Sequence, residues 1–250
     1  MVFKSSSSEK RGKEVLKNLY YFSENQMLDC NQYCVVDINT DEIALFDAGN
    51  SLAVSGLLKG MEKCGLDHNN INKIFLTHEH IDHVIGLYPL MEKMKDNPPE
   101  IFAYGETVQI LSEGDDSKIC PGALGITPKM FGADIIPLKI TDIANQKEVS
   151  VNSDFTFQIH HTPGHSLGSI SYYEPSKKIL IPGDLVFTGG SIGRFDFPGS
   201  SLKDLQNSIK FIANNLDVKY LLPGHMNISD DGNKNIQMSY RYAQSMDLYF

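Results

Sequence analysis

Short apolar runs separated by turn chemistry dominate the chain. Val15–Phe22, Tyr33–Ile38 and Glu42–Phe46 have strand length and β-type residues, with Asn- and Asp-rich turns between them. Asp47-Ala48-Gly49 closes the third run. Across 51–64, Leu52, Leu57, Leu58 and Met61 form a helix-like stripe. Ile71–Leu76 predicts another short strand, residues 83–95 a helix, and Glu100–Tyr104 a strand after Pro98-Pro99. Strand-like runs return at Phe155–His160, Ser169–Tyr173 and Lys178–Ile181. A helix over 201–213 puts Leu202, Leu205, Ile209 and Ile212 on one face. Val218–Leu222 predicts a last strand and 234–247 a closing helix. Strands outnumber helices, and each helix lies between strand groups. The expected fold is therefore α/β, with sheets covered by helices in one layered domain over 14–250. Residues 1–13, four serines followed by mixed charge, read as a solvated tail.

Composition narrows the function classes. With 250 residues, 41% hydrophobic and 21% charged, a well-buried core is expected and global disorder is excluded. The net charge of −9 argues against bulk-charge binding to nucleic acid. No apolar run reaches the roughly 18–20 residues of a membrane helix, and the N-terminus has no apolar signal core. The four cysteines, Cys30, Cys34, Cys64 and Cys120, show no Cys-x-x-Cys spacing, so the expectation is reduced thiols and a cytoplasmic protein.

The eight histidines are far from randomly placed. Thr77-His78-Glu79-His80-Ile81-Asp82-His83 concentrates three histidines and two acids. Neither an ideal helix nor a strand would put all of them on one face. A turn between strand 71–76 and the following helix can aim them at two neighbouring centres. Imidazole and carboxylate suit Zn²⁺, Fe²⁺ or Mn²⁺. Three further strand–turn units present His165 after Pro163-Gly164, Asp184 after Pro182-Gly183, and His225 after Pro223-Gly224. His160 and His161 read as structural or supporting residues, and His68 as a solvated one.

The series His-x-His-x-Asp-His, then His165, Asp184 and His225, resembles the metallo-β-lactamase superfamily from about residue 15 to 226. The resemblance implies a four-layer αββα sandwich of two mixed sheets with helices outside and metals at one edge. It implies two divalent cations, zinc first with iron or manganese as alternatives. His78, His80 and His165 would hold one; Asp82, His83 and His225 the other; Asp184 would bridge them. Asp82 would also handle the reaction's proton, and Asp47 would orient the metal-binding loop. The irregular segment 112–137, with Met130-Phe131, is expected as a loop or short helix over the metal edge.

Details point to a branch. β-Lactamases of this pattern usually carry Cys or Ser where Asp184 stands. Flavodiiron enzymes carry Glu where His80 stands, and transfer-RNA processing relatives add an RNA-grasping arm not seen here. Gly189–Ser201, with Gly193-Arg194-Phe195-Asp196, resembles the short glyoxalase II-like thioester hydrolases. Arg194 would there contact the carboxylate of a small anionic thioester. Two features depart from the group. The 25 residues after His225 leave no room for the helical glutathione-gripping domain of longer relatives, and Met226-Asn227 stands where short relatives commonly have Gly. A one-iron persulfide dioxygenase, using residues that match His78, His165 and Asp184, is the alternative, and lactone hydrolysis a third. Phe197-Pro198-Gly199-Ser200 leans towards the thioester hydrolases.

Overall fold

Strands that are apolar on both faces need cover on both sides, and the architecture supplies it. The structure, a computed structural model, describes residues 11–25, 28–119 and 125–246. Its first sheet contains β1 (Gly12–Leu16), β2 (Leu19–Phe22), β3 (Gln32–Val36), β4 (Ile43–Phe46), β5 (Ile71–Phe75), β6 (Glu100–Ala103) and β7 (Ile140–Asp142), side by side in chain order. Pairing is antiparallel from β1 to β4 and parallel from β4 to β7. The second sheet contains β8 (Glu148–Ser150), β9 (Thr156–His161), β10 (Ile170–Glu174), β11 (Ile179–Ile181) and β12 (Tyr220–Leu221). Here β11 and β12 are parallel and the other neighbours antiparallel. Helices α1 (Val54–Lys63), α2 (Ile81–Val84), α3 (Leu87–Lys93), α4 (Gly105–Glu113) and α5 (Asp116–Ile119) accompany the first sheet. Helices α6 (Leu202–Asn215) and α7 (Gly232–Ser245) cover the second. The fold is the αββα sandwich.

The period-two alternation of strands divides the apolar residues between layers. On β4, Ile43 and Leu45 face the helices while Ala44 and Phe46 face the other sheet. On β11, Ile179 and Ile181 point between the sheets and Leu180 points towards α6 and α7. The inter-sheet layer is aromatic. Phe46 lies 5.3 Å from Phe75, 5.0 Å from Phe157 and 5.2 Å from Tyr172, ring centre to ring centre. Tyr172 also donates its hydroxyl to the Leu76 carbonyl at 2.9 Å, tying the sheets together just below the functional edge.

Several expectations needed correction. Val15–Phe22 is not one strand but the hairpin β1–β2, because Asn18 turns the chain with a left-handed φ of 65°. β1 starts at Gly12, inside the segment expected as a tail; residues 1–10 lie outside the described ones. The helix over 83–95 is two helices, α2 and α3, separated at Gly86. Helix α4 and the three-residue strands β7 and β8 were not anticipated. No disulfide joins Cys30, Cys34 and Cys64; Cys120 lies outside the described residues. Among the described residues no helix is long and apolar enough to cross a membrane.

Candidate metal centre

Five strands that end at this edge deliver polar side chains from the turns that follow them. Asp47 follows β4, and Thr77 to His83 follow β5. His165 lies in the β9–β10 turn, Asp184 follows β11, and His225 follows β12. His80 occupies the position before α2, so Asp82 and His83 sit in its first turn. That break from strand to helix lets alternate residues point at different centres, as the sequence spacing predicted.

The side chains converge in overlapping groups. Donor atoms of His78, His80 and His165 lie within 4.8 Å of one another, as do those of His78, His83 and Asp184, and those of Asp82, His83 and His225. The structure thus brings together all seven residues expected as ligands. Asp184 stands between the groups. Its Oδ1 is 3.3 Å from His83 Nε2, and its Oδ2 is 3.5 Å from His165 Nε2 and 3.2 Å from His225 Nε2. His225 Nε2 is also 3.2 Å from Asp82 Oδ2. A tetrahedral ion with bonds near 2.0–2.1 Å has donor–donor edges of about 3.3 Å, so this spacing fits a shared metal. His78 Nε2, His83 Nε2 and Asp184 Oδ1 are buried without a hydrogen-bond partner, unusual for polar atoms and fitting for a metal-ligand set. Gly224 permits the close approach: a Cβ there would fall 2.2 Å from Asp184 Oδ1.

A second layer of groups aims these donors. Asp47, held at φ 57°, accepts from Thr77 N at 2.8 Å and Thr77 Oγ1 at 2.9 Å, and pairs with His83 Nδ1 at 2.9 Å. Thr77 Oγ1 lies 3.0 Å from His78 Nδ1. The carbonyl of Arg194 accepts from His165 Nδ1 at 2.8 Å, and Glu24 Oε2 from His225 Nδ1 at 2.7 Å. Each contact turns an imidazole so that its other nitrogen faces the centre. The sequence reading found Asp47 but missed Thr77, Glu24 and the Arg194 backbone. Thr77 borders the histidine motif and was the one legible signal. Cys30 was also missed; its thiol groups with Asp47 and His83 behind the centre, and burial pushes it up to about 11 despite the attraction of His83.

Burial, followed by neighbouring histidines, holds His78 well below its ordinary value and His80 at about 3, so both are neutral and competent to bind metal. Burial would raise Asp82, but His83 and His225 outweigh it and hold it at about 2. Asp184 is driven well below the carboxylate range in the same way, by His225 and His83. Burial pushes His83 and His225 down; the acidic groups around them win, and both rise above the ordinary imidazole value.

A cleft of about 380 Å³ opens onto this centre, with Asp82, His165, Asp184 and His225 in its floor. Arg194 lines it, but its fork is engaged by Asp196, Nε to Oδ1 at 2.9 Å and Nη2 to Oδ2 at 2.7 Å. A second cavity, about 200 Å³, lies past His80 and Phe197 and is lined by Ser117 and Lys118. That part of 112–137 reaches the functional edge as expected. Met130-Phe131 does not: Phe131 is buried in the core beneath the first sheet's helices, where its carbonyl accepts from Ser51 Oγ. Residues 120–124 are outside the described ones. His160 packs beside Phe211, His161 stacks on Tyr104, and His68 opens a 3₁₀ turn near α1; none joins a donor group.

A sequence profile of the metallo-beta-lactamase superfamily matches residues 27–225. The chain belongs to this superfamily. A probable metallo-hydrolase of Methanocaldococcus jannaschii is 34% identical over 204 residues, covering 80% of this chain and 87% of the relative. Hydroxyacylglutathione hydrolase GloC of Haemophilus influenzae is 30% identical over 186 residues, covering 73% and 79%. The solved structure of TTHA1623 in a di-iron-bound form matches with a TM-score of 0.65 and 27% identity, over 84% of this chain and 94% of that one. Superfamily membership and the converging donors make this a divalent-metal site in a metal-dependent hydrolase.

Proposed function

We propose that the protein hydrolyses a small anionic thioester, of the hydroxyacylglutathione kind, with two divalent cations, zinc in first place. The observation that carries this reading is Asp184, whose two oxygens face both donor groups at 3.2–3.5 Å. The similarity to GloC supports the substrate class. His78, His80 and His165 would hold one cation, and Asp82, His83 and His225 the other. Such a pair supplies a hydroxide at neutral pH and a Lewis acid for the thioester carbonyl.

The chain's own residues do the rest. Asp82, ionised and lining the cleft, is placed to take the proton that the attacking water loses. His165 and His225 are fixed in one tautomer by the Arg194 carbonyl and by Glu24. Arg194 can turn from its exposed pair with Asp196, worth little in water, to a substrate carboxylate. A thiolate departs without a general acid, because it is a far weaker base than an alkoxide. The cleft volume suits a small molecule rather than nucleic acid or a membrane. A cytoplasmic location accords with the described cysteines, Cys30, Cys34 and Cys64, lying outside disulfides.

The test compares zinc-loaded, iron(II)-loaded and chelator-treated protein on S-lactoylglutathione, with an oxygen electrode run in parallel on glutathione persulfide. Metal-dependent thioester cleavage without oxygen uptake is expected. Oxygen uptake with persulfide and no thioester cleavage would replace this reading with the dioxygenase one.

A further inference from the structure

Six non-glycine residues have left-handed backbone among the described residues. Asn18, Asp41 and Lys178 lie in turns between strands; Leu28 (φ 50°), Asp47 (φ 57°) and Met226 (φ 67°) lie at the metal centre. Asp tolerates this conformation, and Asp47 uses it to aim its carboxylate. Leu and Met have no such compensation, and a long side chain there persists only where its surroundings enforce it.

Both backbones are pinned. The Leu28 carbonyl accepts from Asn50 Nδ2 at 2.7 Å. Met226 N–H donates to Glu24 Oε1 at 2.9 Å, and its carbonyl accepts from Asn31 Nδ2 at 2.8 Å. Glycine would make the same backbone bonds without strain. What the strained residues add is their side chains. Both line the 380 Å³ cleft, as do Phe187 and Ile192, which with Met226 give it an apolar wall. That wall flanks the His225 end of the centre. The Phe187 ring is 5.9 Å from that of His225, Met226 follows His225 in the chain, and Ser191 Oγ donates to Met226 Sδ at 3.5 Å. Met226 keeps 48% of its surface exposed in this position.

The opposite end differs. Phe197 lies 5.2 Å from His80 and 5.9 Å from His165, and the Arg194 guanidinium sits 4.3 Å over its ring. The cleft therefore differs along the line of the two donor groups: at one end lie Phe197 and Arg194, the latter paired with Asp196, and at the other the apolar side chains stand in front of the Glu24 carboxylate that holds His225.

We infer that Leu28 and Met226 determine substrate specificity: they seat a hydrocarbon arm at the His225 end while the anionic part lies towards Arg194. Among thioesters, those whose acyl group carries an alkyl or aryl arm would thus be favoured. The wall itself is independent of the reaction; the naming of a thioester rests on the function proposed above.

The test separates the two. Zinc-loaded protein is titrated calorimetrically with S-methyl and S-hexyl mercaptoacetic acid, thioethers that cannot be hydrolysed. It is also assayed on acetyl and hexanoyl thioesters of N-acetylcysteine. The hexyl ligand should bind at least about tenfold more tightly than the methyl one. Met226→Gly should cut that ratio roughly three- to tenfold without lowering Tm, since glycine adopts this φ freely. Met226→Ala, which keeps the Cβ and loses the thioether arm, should cut the ratio similarly. The hexanoyl-over-acetyl preference in kcat/KM should fall in parallel. Equal binding of both ligands to the wild type, or an unchanged ratio in both variants, overturns the inference. An intact binding ratio with neither thioester cleaved supports the wall and overturns the thioesterase reading. Cleavage with no chain-length preference overturns the wall alone.

Discussion

Asp184 is the side chain on which the two donor groups meet, with contacts to His83, His165 and His225 from three separate turns. Asp184→Ala should lower both metal content and hydrolysis by more than about a hundredfold, whereas His68→Ala should leave both unchanged. Metal analysis beside a rate assay checks this. Glu24→Gln tests the layer behind. Glu24 accepts from His225 Nδ1 with one oxygen and from Met226 N with the other, and an amide has only one acceptor oxygen. Metal affinity should fall by about 10–100-fold, read by competition with a chromogenic chelator. Arg194→Ala should raise KM for anionic thioesters by roughly ten- to 150-fold, the loss of a charge-assisted contact, with kcat and neutral substrates little affected. Equal losses on both substrates, or loss of metal, would make Arg194 a brace through its carbonyl to His165. The candidate ligands were legible because their spacing is dense and local. Glu24 was not: it lies 201 residues from the histidine that it orients, and an isolated acid between strands carries no spacing signal.

Element boundaries show which local signals suffice. Strands β4 and β11 were readable because both faces are buried and the runs are apolar throughout, and β5 because buried Ile71, Ile74 and Phe75 bracket its half-buried Asn72 and Lys73. β7 and β8 have three residues each, mostly exposed or half-buried, so pairing with longer neighbours defines them and not their own pattern. The expected single helix over 83–95 failed at Gly86, where chain packing outweighs helical continuity. Gly86 N donates to the Gly49 carbonyl at 2.8 Å, and a Cβ at Gly86 would fall 2.0 Å from the Ala48 carbonyl oxygen. This contact seats α2, and with it Asp82 and His83, against the Asp47 turn. Gly86→Ala should therefore destabilise the protein by about 1–3 kcal/mol, with a matching fall in Tm and weaker metal binding. Thermal unfolding with and without zinc measures it.

The whole molecule places one polar edge between two sheets whose shared core is aromatic. Two carboxylates there, Asp82 and Asp184, are held ionised, and the protons that balance them sit on His83 and His225. A divalent cation must displace those protons. Because both histidines titrate above their ordinary value, metal affinity should rise with pH through neutrality and weaken as acid returns the protons. The gain is about tenfold per unit for each proton displaced. Chelator competition across that range reads the slope, and a flat profile would mean that neither histidine binds the metal.

The central claim is a two-metal centre that works as a unit. The most direct measurement titrates chelator-stripped protein with zinc while bound metal and S-lactoylglutathione hydrolysis are recorded together. Activity reaching its plateau at two ions per chain, and absent throughout in Asp184→Ala, is the result that this account predicts. Full activity at one bound ion, or a plateau unaffected by Asp184→Ala, would contradict it.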